Sequence, residues 1–77
     1  MGIPISELPR HKSARIVELT GGHEFQRKLR NLGIREGKIV RVLADQPFGG
    51  PVVIEVDGRA TTIGRGMARG ILVEPVE

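Results

Sequence analysis

Metal chemistry in this chain would have to begin with His11 and His23, the only histidines, and no cysteine is present to join them. A structural zinc site takes about four protein ligands and a catalytic one about three. His23-Glu24 is a neighbouring pair and does not have the i, i+4 spacing that puts two ligands on one helix face. Both histidines therefore read as structural or exposed, with no metal and no cofactor expected. The glycine-rich stretch Gly64-Arg65-Gly66-Met67-Ala68-Arg69-Gly70 invites comparison with a phosphate loop. A Walker loop needs a lysine followed by serine or threonine, which this stretch lacks. A dinucleotide fingerprint needs a parallel βαβ unit. The stretch reads as a tight connection whose glycines permit unusual backbone angles. Ser6 and Ser13 fall in expected loops with no histidine arranged to activate them. No acid, base and nucleophile come together, so no enzymatic activity is expected.

Two features suit the binding of a partner. Arg27, Lys28 and Arg30, with Arg35 and Lys38 nearby, form the densest basic run. This run reads either as the solvated face of an amphipathic helix or as a docking face for an acidic protein surface or phosphates. The second feature is Phe48 in Pro47-Phe48-Gly49-Gly50-Pro51. Its ring is either folded over one end of the core or offered to a partner, and an aromatic in a rigid loop makes a good anchor. The candidate partner-binding residues are therefore Phe48, Gly49, Arg27, Lys28, Arg30 and Arg35. RNA binding is the alternative, although base stacking uses exposed aromatics and only Phe48 offers one. Arg65 and Arg35 are arginines that could act in trans on a nucleotide, a role set by position.

These residues need elements to hold them. Pro4 to Pro9 allows at most one helical turn, with Ile5 and Leu8 on one side. Ala14 to Thr20 is a strand stopped by Gly21-Gly22. From His23 to Leu32 the period changes: Phe25, Leu29 and Leu32 make one helical stripe. Arg27 and Arg30 lie opposite that stripe. Gly33 stands where a left-handed cap wants glycine, and Ile34 can fold back on the last turn. Arg35-Glu36-Gly37 is a tight turn. Lys38 to Ala44, Val52 to Val56, Arg59 to Ile63 and Ile71 to Glu74 are further strands. Asp57-Gly58 marks a hairpin. Gly64 to Gly70 is a short helical turn.

The expected fold class is mainly β: a small five-stranded barrel with one helix between the first two strands. Closure would remove sheet edges that so small a chain cannot cover. An edge left open would allow pairing into a homo-oligomer.

With 77 residues the chain reads as a single domain, 1–77, built on branched aliphatics, since Phe25 and Phe48 are its only aromatics. Hydrophobic residues make up 39% and charged residues 27%, ordinary for a globular chain. The net charge of +3 is compatible with several partners and selects none. No apolar run approaches the roughly 18 residues of a membrane span, and Met1 to Arg10 lacks the apolar middle of a signal peptide. The cytoplasm is the expected location, since small secreted domains usually carry disulfides.

The stretch Leu29-Arg30-Asn31-Leu32-Gly33-Ile34-Arg35-Glu36-Gly37 resembles a core pattern of the FeoA family. Pro47-Phe48-Gly49-Gly50-Pro51, Val52-Val53-Ile54-Glu55-Val56-Asp57-Gly58 and Ala14-Arg15-Ile16-Val17-Glu18-Leu19 are similar to its following loop, next strand and opening strand. The resemblance runs over roughly Ile5 to Val73 and rests on the order and spacing of these segments. It implies an SH3-like barrel, found alone in FeoA and appended to some metal-dependent repressors. Without DNA-binding helices beside the barrel, the stand-alone form is expected. The resemblance also implies a role in bacterial ferrous iron uptake, through contact with FeoB, a membrane permease with a cytoplasmic GTPase domain.

Overall fold

The computed structural model describes residues 2–46 and 48–76. Six antiparallel strands form one sheet: β1 (Ile3–Pro4), β2 (Ser13–Leu19), β3 (Ile39–Asp45), β4 (Val52–Val56), β5 (Arg59–Ile63) and β6 (Ile71–Pro75). Helix α1 (His23–Asn31) joins β2 to β3, and the five-residue α2 (Arg65–Arg69) joins β5 to β6. The spatial order is β1-β6-β2-β3-β4-β5.

This differs from a closed five-stranded barrel in two respects. First, a short strand precedes the expected first one. It is only two residues long and ends in Pro4, which has no N–H to donate, so no alternating pattern announces it. The helix consequently follows the second strand. Second, β1 and β5 end the sheet and do not pair with each other among the described residues. The sheet instead curls. The register shifts between Ile16 and Glu18 in β2, and between Val42 and Ala44 in β3. Such bulges bend a strand and increase its twist, which lets one sheet wrap a single core.

That core is aliphatic. Ile16, Val40, Val42, Val52, Ile54, Ile63, Ile71 and Val73 point inward from the strands, and Ile5 and Leu8 fold under them from a 3₁₀ turn at Ile5–Glu7. No polar or charged side chain is buried among the described residues. The alternation in β4, with Val52, Ile54 and Val56 buried, is the period-2 pattern of a half-buried strand.

The segment that carries the basic run ends as its residues dictate. Gly33 has φ 84°, its N–H donates to Arg30 O (3.0 Å), and Ile34 N–H donates to Leu29 O (2.9 Å). This is the paired bonding of a Schellman cap, and Ile34 is fully buried. One residue of the stripe departs from expectation. The helix stops at Asn31, so Leu32 becomes the cap residue and stays 45% exposed, while Leu29 is buried and Phe25 half-buried. After the cap, Arg35 O accepts from Lys38 N–H (3.2 Å) around Gly37, whose φ of 92° is the left-handed angle such a turn requires. At the far end, Asp57 and Gly58 (φ 55° and 78°) make the two-residue hairpin that joins β4 to β5.

Candidate partner-binding surfaces

The loop between β3 and β4 projects Phe48. Its ring is not folded over the core: at 104% relative exposure it stands fully in solvent. Its backbone has φ 59°, followed by Gly49 at 78°. Glycine adopts this left-handed region freely, whereas an L-residue with a side chain there costs about 1–2 kcal/mol. The strained residue is thus also the exposed one, and such outliers concentrate at functional sites. Pro47 lies outside the described residues.

Arg65, the first residue of α2, holds the foot of this loop. Its Nη2 donates to Asp45 Oδ1 (2.5 Å) and to Gln46 O (2.7 Å), and its Nε donates to Gly50 O (3.2 Å). Gln46 N–H also donates to Pro51 O (3.2 Å) across the loop. The guanidinium side chain is only 20% exposed. A planar fork can satisfy several acceptors at fixed angles, so the loop is tied on both sides of Phe48. Nothing in the linear sequence marks the clamp, because Asp45 and Arg65 lie in different segments that the β3–β4 and β4–β5 pairings together bring side by side. Arg69 lines the same depression as Phe48, Gly49 and Arg65.

The basic residues form a second surface. Arg27, Lys28 and Arg30 lie on the exposed side of α1, and Arg35 on the turn that follows. Arg27, Arg30 and Arg35 line one shallow groove of about 600 Å³ with His23, Glu24 and Asn31, and Lys28 does not line it. Arg27 pairs with Glu24 (2.8 Å), and Arg30 donates to Gln26 Oε1 (3.3 Å). With both partners well exposed, the Arg27–Glu24 pair stabilises the helix by only about 0.3–0.5 kcal/mol, so either side chain can turn to a ligand at little cost. Arg35 has no ion-pair partner among the described residues. No depression among those described is lined by both Phe48 and this basic face.

His11 sits in a turn with φ 66°, its N–H donating to Val42 O (2.7 Å). His23 opens α1. Among the described residues no three histidine, aspartate or glutamate side chains gather where a metal could be held. No described helix is long and apolar enough to cross a membrane.

A family model described as the FeoA domain matches residues 3–75. Among solved structures, an iron uptake regulatory protein, FeoA, is 33% identical, with a TM-score of 0.91 over 99% of this chain and 100% of that one. Iron(II) transport protein A from Clostridium thermocellum is 30% identical (TM-score 0.90), over 96% of this chain and 46% of that one. A manganese-dependent transcriptional repressor in complex with manganese shares the fold at 19% identity (TM-score 0.90), over 97% of this chain and 37% of its own. No curated protein matches the sequence.

Proposed function

This chain belongs to the FeoA domain family, and from that premise we propose that it is a cytoplasmic, non-enzymatic accessory protein that docks on a FeoB-like permease and modulates ferrous iron uptake. The family connects the chain to ferrous iron transport and is one of small accessory domains with an SH3-like fold. The contact would be made with the cytoplasmic, GTPase-bearing part of the permease.

The observation that carries this reading is Phe48, fully exposed on a loop that Arg65 holds in place. A large ring held in water offers apolar area that a partner can bury, and aromatic anchors dominate binding energy at interfaces. Because the loop is already tied, association orders little chain. The Arg27, Lys28, Arg30 and Arg35 face would steer approach to an acidic surface and set the association rate more than the final affinity.

The test is an amide NMR titration of the labelled chain with the permease's cytoplasmic domain, with and without guanine nucleotide. Shifts centred on Phe48 and Gly49, with the α1 face as a flank, are expected. An unchanged spectrum, or shifts produced by RNA and not by the permease domain, would overturn the reading.

A further inference from the structure

A larger groove, of about 680 Å³, lies on the other side of the α1 cap, between that cap and the β4–β5 hairpin. Three of its features point to one kind of ligand.

The first is backbone. Val56 and Arg59 flank the two-residue turn and pair across it, and the register continues through Ile54–Thr61 and Val52–Ile63. In an antiparallel hairpin of this type the flanking pair exchanges its hydrogen bonds and every second pair does likewise. Arg59, Thr61 and Ile63 thus direct their N–H and C=O groups at β4, and those of Ala60 and Thr62 point away from it. No strand pairs with β5 on that outer side, and no backbone hydrogen bond reaches it among the described residues. Ala60 and Thr62 are exposed, and Ala60 lines the groove.

The second feature is apolar. Leu32, left 45% exposed by the early end of α1, lines the same groove above the buried Val56. The third is charge. Arg30, Arg35, Lys38 and Arg59 line the groove against a single acid, Asp57, which Lys38 pairs at 2.9 Å. Neither Arg35 nor Arg59 has an ion-pair partner among the described residues.

From these we infer that the groove between α1 and the β5 edge binds an extended, acidic segment of a partner protein by strand addition, with an aliphatic side chain of that segment on Leu32. Main-chain bonds to an edge supply affinity, and side-chain contacts on alternate residues supply selectivity. A nucleic acid would answer the charge but leave the edge amides and Leu32 unused, and Phe48, the exposed aromatic that could stack a base, does not line this groove. The inference goes beyond the permease reading and does not depend on it, because any protein carrying such a segment would fit.

The experiment titrates the labelled full chain with a blocked heptapeptide of alternating glutamate and leucine, and with a lysine–leucine control. Amide shifts at Leu32, Ala60 and Thr62 are expected with the acidic peptide alone. Ala60→Pro removes an outward N–H without removing a bond to β4, a position where edge strands tolerate proline, and should weaken binding at least about tenfold with folding intact. Arg35→Glu with Arg59→Glu, which touches no ladder bond, should weaken it by a similar factor and serves if the proline variant fails to fold. The proposal is overturned if the acidic peptide leaves these amides unmoved or shifts the Phe48 loop instead. It is equally overturned if binding survives the charge reversal, if an RNA oligonucleotide displaces the peptide, or if the same amides shift with protein concentration alone, which would make a second copy the occupant.

Discussion

Arg65 Nη2 lies 2.5 Å from Asp45 Oδ1, so the first residue of α2 is bonded to the last residue of β3 across the foot of the Phe48 loop. The same side chain also reaches Gln46 O and Gly50 O. One residue therefore links the wall of the core to the exposed aromatic. The first expectation concerns this clamp. Lysine keeps the charge but not the fork, so Arg65→Lys should lose about 1–2 kcal/mol in urea denaturation. Residues 48–50 should gain fast motion in ¹⁵N relaxation. An unchanged relaxation profile would show that the loop is held by something else.

Phe25 and Gly70 meet where α1 rests on the entry to β6. A Cβ on Gly70 would stand 2.8 Å from Phe25 Cε2 and 2.9 Å from Cζ. Gly70 O also accepts from the Thr20 N–H (2.8 Å) and hydroxyl (3.1 Å), which limits how far the backbone can yield. Gly70→Ala should cost about 1–3 kcal/mol through overpacking. The cost should largely vanish in a Phe25→Ala background, and a thermal-melt double-mutant cycle measures that coupling.

His11 tests backbone strain in isolation. Its φ of 66° is the left-handed angle of a turn before β2. His11→Gly should relieve the strain and raise stability by up to about 1 kcal/mol, after subtracting glycine's extra freedom when unfolded. His11→Ala should not. Equal effects of the two substitutions on the denaturation midpoint would place the cost in the imidazole instead.

Charge reversal separates steering from anchoring. Arg27→Glu, Arg30→Glu and Arg35→Glu together leave the core untouched, since all three side chains are exposed. Stopped-flow association with an acidic partner should slow at least about tenfold at low salt and lose most of its salt dependence, with dissociation changed much less. A change confined to dissociation would make these residues anchors.

Much of the frame was legible in the sequence because it rests on local rules. Gly33 and Ile34 announced the helix cap, Asp57-Gly58 announced the hairpin, and Val52, Ile54 and Val56 announced the buried face of β4. The family pattern rests on the same residues. What escaped depends on contacts between distant segments. β1 exists only because β6 pairs with it, and two residues are too few to show a period. Leu32 fitted the stripe, but the helix ended one residue sooner and left it exposed. The position of Phe48 is not legible for a related reason: a loop rich in proline and glycine can fold either way, and its foot is tied by Arg65, a residue of the glycine-rich stretch that reads in sequence as a plain connection.

The most direct test of the central claim is the affinity of the permease's cytoplasmic domain for this chain and for its Phe48→Ala variant, by isothermal titration at physiological salt. The ring is fully exposed, so the substitution should leave folding unchanged and weaken binding by about thirtyfold or more, the loss expected of an aromatic anchor. Equal affinities for the two chains, with the fold intact, would contradict the account.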